Sequence, residues 1–217
     1  MQITGGERYN DALVSRLEDN VNNQAMGETF DNVANVSLLR HYLCAPARRD
    51  AGLTARVLVM SLMRLPEPYF ANNLAILPEN VQQTPAIAGL ANAARALENA
   101  RFADFWSAIG HGAADASSHP VAAAALSVPG FEDAVRRYAL NVIGITYVRA
   151  PVSIVAEAVA LDGAALDAYV KQHRPAWTRD GDSFLIPQAD AGTGAAGAAS
   201  EVGISVAALA PFLSARS

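Results

Sequence analysis

The feature that most narrows the folds open to this chain is its punctuation by proline. Apolar residues recur every three or four positions, and Pro66, Pro68, Pro78 and Pro85 cut that pattern before any stretch grows long. A proline inside a helix removes a backbone donor and clashes with the preceding turn, so each one marks a helix end or a first turn. The resulting helices are short, and a short helix does not hold alone in water. They must bury their stripes against one another, as antiparallel helix pairs do.

Read in order, Asn10 or Asp11 caps a helix with Leu13, Leu17 and Val21 at spacing four. Asp31 caps the next, with Val36, Leu39 and Leu43 on one stripe. Leu53, Val57 and Met60 mark a third, which Pro66 ends, and Pro68 opens a fourth carrying Phe70, Leu74 and Leu77. Thr84-Pro85 is a cap and first-turn proline for a fifth, lined by Ile87, Leu90, Ala94 and Leu97. Phe102, Phe105, Trp106 and Ile109 load a sixth, and Phe105 and Trp106 are expected between helices of this first lobe. Positions 111–128 are rich in small residues and read as a loop with one Ala-rich helical stretch. No clean period appears, so any repeat is degenerate.

The stretch 131–147 predicts a long helix with Glu132 and Asp133 in its first turn, where the helix dipole favours acids. Glu132–Arg136 and Asp133–Arg137 are i,i+4 pairs. Phe131, Val135, Tyr138, Val142 and Ile145 form one stripe, and Leu140, Ile143 and Tyr147 a second, which predicts a later half buried nearly all round. Beyond Pro151 the texture changes. Two short helices, 152–161 and 164–173, precede apolar runs at 176–178 and 183–187 that flank Arg179-Asp-Gly-Asp182, a hairpin signal. Helix, helix and hairpin outline a small winged-helix domain. Positions 189–200 are Ala- and Gly-rich and read as a flexible linker. Val206, Leu209 and Leu213 suggest a last short helix, which Pro211 would kink.

Composition excludes several classes. Hydrophobic residues make up 52% and charged residues 17% of the 217, which argues for a packed core and against disorder. The net charge of −5, with fifteen Arg and one Lys among the basic residues, argues against a large basic nucleic-acid surface. Cys44 is the one cysteine, which forbids an internal disulfide and favours a reducing compartment. The first residues show no basic-then-apolar pattern, so no secretory signal is expected there, and no run of about 20 apolar residues would span a bilayer.

The chemical motifs are weak. Gly192-Thr-Gly-Ala-Ala-Gly197 spells a dinucleotide fingerprint, yet it lacks a preceding strand and a long following helix, so it reads as linker. His41 and Cys44 share one helix face at i,i+3, but no second pair completes a four-ligand metal site. They read as a half-buried histidine and a core cysteine, and Cys44 has no partnered base to make it a nucleophile. His111 and His119 have no ligand cluster around them. Asn35-Val-Ser37 matches a glycosylation acceptor but falls inside a helix. Adjacent Glu132 and Asp133 diverge on a helix and act as first-turn charges rather than as paired catalytic acids. The second winged-helix helix offers Asp167, Lys171, Gln172 and His173 among apolar residues, a poor set for reading bases, so a protein-docking use is favoured over DNA or RNA.

Gly130-Phe-Glu-Asp-Ala-Val-Arg-Arg-Tyr138 and Val142-Ile-Gly-Ile-Thr-Tyr147 resemble the signature stretch of the family of subunit k of eukaryotic translation initiation factor 3. Arg8-Tyr9-Asn10, Ala34-Asn35 with Leu38 and Tyr42, Phe102-Ala-Asp-Phe-Trp-Ser-Ala108, Trp177 and Phe184-Leu-Ile186 agree in order and spacing, from about position 7 to 188. The resemblance implies a mainly α fold, with a helical-repeat lobe at 7–149 and a PCI-like winged helix at 150–188. A linker at 189–203 and a short helix at 204–217 would follow. That group includes one proteasome-lid and one COP9-signalosome subunit, and those paralogous scaffolds are the alternative reading. It further implies a cytoplasmic, non-catalytic scaffold without cofactor or metal. Other initiation-factor subunits, above all subunit l, would be the direct partners, and the complex would carry it to the small ribosomal subunit. The shorter start, the featureless stretch 113–128 and the Ala/Gly-rich tail depart from the family pattern. Alternation in the hairpin turns Phe184 and Ile186 to one face and Leu185 to the other. With the free edge expected of the outer strand, Phe184, Leu185 and Ile186 are the candidate partner-binding residues, joined by Leu209, Phe212 and Leu213 of the last helix.

Overall fold

The computed structural model describes residues 11–27, 29–111 and 120–187, and the expectations that fall on Asn10, His119 and positions 188–217 lie outside them. Helices α1 (Asp11–Gly27), α2 (Asn32–Cys44), α3 (Ala51–Leu62), α4 (Tyr69–Ile76), α5 (Glu79–Gln82), α6 (Pro85–Glu98) and α7 (Phe102–Ala108) follow one another, with a 3-10 turn at Pro46–Arg48. After α8 (Pro120–Leu126) and α9 (Phe131–Thr146) come β1 (Arg149–Pro151), α10 (Val152–Val159), α11 (Gly163–His173), β2 (Thr178–Asp180) and β3 (Ser183–Leu185). The architecture is mainly helical with one small antiparallel sheet towards the C-terminal side, as the patterning predicts.

Local chemistry sets the boundaries. The Asp31 carboxylate accepts from Ala34 N at 3.0 Å, and Asp50 accepts from Leu53 N at 2.8 Å, which satisfies first-turn donors of α2 and α3. Thr84 stands at the N-cap position of α6, but its hydroxyl donates back to the Val81 carbonyl at 2.7 Å and so closes the preceding turn instead. Gly130 takes φ +78 immediately before α9, a left-handed conformation that favours glycine.

Two stripes differ from the sequence reading. On α2 the buried row is Ala34, Leu38 and Tyr42, flanked by Asn35 and Leu39, while Leu43 is exposed and Val36 half-buried. Polar anchors set that rotation. Asn35 exchanges hydrogen bonds with Gln24 of α1 at 3.1 and 3.2 Å, and the Tyr42 hydroxyl donates to Glu18 at 2.7 Å. On α9 the buried set is Phe131, Val135, Ala139, Leu140 and Ile143, whereas Ile145 is 76% exposed. The later half is thus covered on one side only, because α9 gives way to β1 within a few residues of that point.

Trp106 occupies a different place from the one expected within the first lobe. Its indole Nε1 donates to the Ala158 carbonyl of α10 at 2.9 Å, so it joins α7 to the helix beyond β1. The Arg136 guanidinium of α9 lies 5.3 Å from the Trp106 ring centre, and its Nε donates to the Val159 carbonyl at 2.9 Å. Phe105 meets Phe131 with ring centres 6.2 Å apart. This seam is both apolar and hydrogen-bonded, the arrangement that best holds two groups of helices in one geometry.

Candidate partner-docking site

The hairpin begins with Trp177, whose ring reaches α9: a Cβ added at Gly144 would lie 3.2 Å from its Cζ2. Gly181 at the turn has φ +58, which an L side chain rarely adopts. β3 then returns antiparallel to β2, with Thr178 opposite Leu185 and Asp180 opposite Ser183. Its other side pairs with β1, with Arg149 opposite Leu185 and Ala150 opposite Phe184. The sheet order is β1-β3-β2.

That order corrects the expectation of a free edge on the strand that carries Phe184 and Leu185. β3 is the central strand, so its backbone groups are committed on both sides, and the open edges belong to β1 and β2. Phe184 and Ile186 are 3% and 4% exposed and belong to the core, which removes them from any partner surface. Leu185 is half-buried on the opposite face, shared by register with Arg149 and Thr178. On that face Arg149 Nη2 meets an Asp180 carboxylate oxygen at 2.9 Å, so an ion pair spans β3. All three residues of β2 are exposed. Leu209, Phe212 and Leu213 lie outside the described residues.

β1 escaped the sequence reading. Three residues ending in Pro151 carry no alternation to detect, and the strand exists because β3 supplies its partner. Proline suits an edge strand, where a missing donor breaks no ladder. The one clue to it was the change of texture at Pro151.

Cys44 is exposed, not a core residue, because the rotation of α2 turns it outwards. His41 is buried, with Nε2 lacking a hydrogen-bond partner. Among the described residues no three His, Cys, Asp or Glu side chains gather where they could hold a metal, and no helix is long and apolar enough to cross a membrane. Asn35 is fully buried in its contact with Gln24, so the glycosylation motif is structural. Glu132 pairs with Arg136 at 3.1 Å and with His111 at 3.3 Å, while Asp133 pairs with Arg137 at 3.2 Å. Each acid is therefore neutralised one turn on. Asp133 also accepts from the Tyr169 hydroxyl at 2.8 Å. Burial, then that carboxylate, push the Tyr169 phenol well above its ordinary value. In α11, Asp167 is ion-paired with Arg179 of β2, which ties the second winged-helix helix to the hairpin.

Residues 48–193 match the model of the CSN8/PSMD8/EIF3K family. The chain is 28% identical over 185 residues to eukaryotic translation initiation factor 3 subunit K of Bombyx mori, which covers 85% of this chain and 80% of the relative. The human protein of the same name is 28% identical over 189 residues, with 86% and 82% covered. That of Xenopus laevis is 31% identical over 145 residues, with 67% and 62% covered.

Proposed function

The chain belongs to the CSN8/PSMD8/EIF3K family, and on that premise we propose that it is a subunit of eukaryotic translation initiation factor 3, in the place of subunit K. What carries this reading is similarity to proteins of that name along some 85% of the chain, wing included. It acts as a non-catalytic cytoplasmic scaffold. The helical lobe at 7–149 and the winged helix at 150–188 work as one piece, and the complex carries it to the small ribosomal subunit. The rigid seam at Trp106 supports that role, since a scaffold transmits geometry only if its parts do not hinge.

The neighbouring subunit, subunit l by the family resemblance, docks on the wing sheet. Two features support this surface. The outer edge of β2 is exposed and unpaired among the described residues, so it offers a ladder of donors and acceptors. Beside it, Leu185 gives an apolar contact between Arg149 and Thr178. The test is affinity purification from cell extract of the tagged chain and its Leu185→Lys variant. Initiation-factor subunits should co-purify with the parent and be depleted with the variant at unchanged melting temperature. Recovery of lid or signalosome subunits instead would replace the reading with the paralogous one.

A further inference from the structure

The α1–α2 pair begins the described helices with an open side. α2 turns Ala34, Leu38 and Tyr42 inwards, and its opposite side forms with α1 a groove of about 640 Å³. Leu13, Val33, Val36, Arg40, His41 and Leu43 line it. Val33 is 62% and Leu43 46% exposed, an unfavourable display for a surface that meets only water.

The groove has three properties that choose its occupant. It runs along α2 from Asn32 to Cys44, roughly 18 Å at 1.5 Å per residue, the length of about three helical turns. Its apolar residues Val33, Val36 and Leu43 and the charged Arg40 recur at spacings of three and four, the ridge pattern against which a second helix packs. Its charge is one-sided. Among the described residues Arg40 is exposed and makes no ion pair, and none of those that line the groove is a carboxylate. His41, which also lines the groove, is buried and its Nε2 has no hydrogen-bond partner.

We infer that this groove receives an amphipathic helix from another subunit of the assembly, whose apolar face lies along Val33, Val36 and Leu43 over about three turns and whose carboxylate pairs with Arg40. The inference rests on the assembly reading above but uses a surface on a separate element from the wing.

Cys44 lines the same groove, is exposed, and is the one cysteine in the chain, so the wild-type protein carries its own reporter. Its alkylation by a maleimide is timed in the isolated full chain and in the purified complex. The expected result is labelling slowed at least about tenfold in the complex. A photo-reactive maleimide on Cys44 then marks the covering segment, which is synthesised as a peptide and titrated against the full chain. Arg40→Glu should weaken that binding by about tenfold, and the peptide with its carboxylate changed to lysine should recover it on the variant. Labelling equally fast in the complex, or peptide binding indifferent to Arg40→Glu, overturns the inference. So does protection that appears in the isolated chain, whether at monomer size or only where it dimerises. Arg40 is exposed, so the variant is expected to fold, and an unchanged thermal transition confirms it. A chain that joins no complex overturns the assembly reading instead, which keeps the two failures apart.

Discussion

The seam around Trp106 and the α1–α2 groove are made from the same kind of short amphipathic helix, yet they end in opposite states. At the seam, the indole N–H, the Arg136 guanidinium and the Glu132 carboxylate all have partners, and the rings of Phe105, Trp106 and Phe131 are buried. In the groove, two large apolar side chains face outwards, Arg40 is unpaired among the described residues, and His41 has an unsatisfied nitrogen. The difference lies in which sides of each helix its neighbours cover. α7 is covered by both α6 and α10, whereas the outer side of α2 is covered by no described element. A helix covered on one side keeps a second apolar face, and that face is free to serve recognition.

The contrast breaks first at Trp106. Trp106→Ala should cost about 3–5 kcal/mol, since it opens a cavity and leaves the Ala158 carbonyl without its donor. Urea unfolding measures this, and a loss under about 1 kcal/mol would remove the seam's claim to be core. Next comes Gly89, where an added Cβ would lie 2.1 Å from Val121 Cγ2. Gly89→Ala should therefore push α6 from α8 at a cost of about 1–3 kcal/mol. Gly27→Ala at the end of α1, where the nearest atom to the new Cβ is 3.9 Å away, should be neutral or slightly stabilising by the same assay.

Two tyrosines on the two sides have matching chemistry. Tyr42 donates to Glu18 beside the groove, and Tyr169 donates to Asp133 between α11 and α9. Either change to Phe should cost about 1 kcal/mol. Burial and then the partner carboxylate raise both phenol pKa values from an ordinary 10.0. The folded chain holds these protons more tightly than the unfolded chain does. Their contribution is therefore complete below pH 10 and is lost as the pH rises above it. Ultraviolet titration should show neither phenol ionising before alkaline unfolding begins, and early ionisation of Tyr42 alone would show that the groove side is looser than the seam. The smallest effect belongs to Val33→Ser, which should change stability by less than about 0.5 kcal/mol because the side chain already faces solvent.

Much of the fold was legible because proline and cap residues act locally. Asp31, Pro68 and Pro85 mark helix starts through chemistry confined to one turn, and Asp180-Gly181-Asp182 marks the hairpin in the same way. Helix rotation was less legible. The apolar spacing of α2 admits two stripes, Val36–Leu39–Leu43 or Ala34–Leu38–Tyr42, and contacts with Gln24 and Glu18, more than ten positions away, choose between them. The docking site suffered for a related reason. Alternation placed Phe184 and Leu185 on opposite faces, as found, but strand order is a long-range property, and β1 had no pattern to announce it. The exposure of Cys44 follows from the same rotation of α2 and was equally hidden.

The run from α9 through β1 to α10 has almost no slack. Two residues, Tyr147 and Val148, separate the helix from the strand, and α10 begins at Val152 directly after Pro151. Inserting one residue here would shift β1 against β3 by one position, sending Arg149 where Ala150 now meets Phe184, and would rotate α9 by about 100° relative to the sheet. Over generations, then, this stretch should tolerate changes of exposed residues but not of its length. Insertions and deletions in a lineage of such chains should be tolerated far better at exposed connections, such as the turn at 180–182 between β2 and β3.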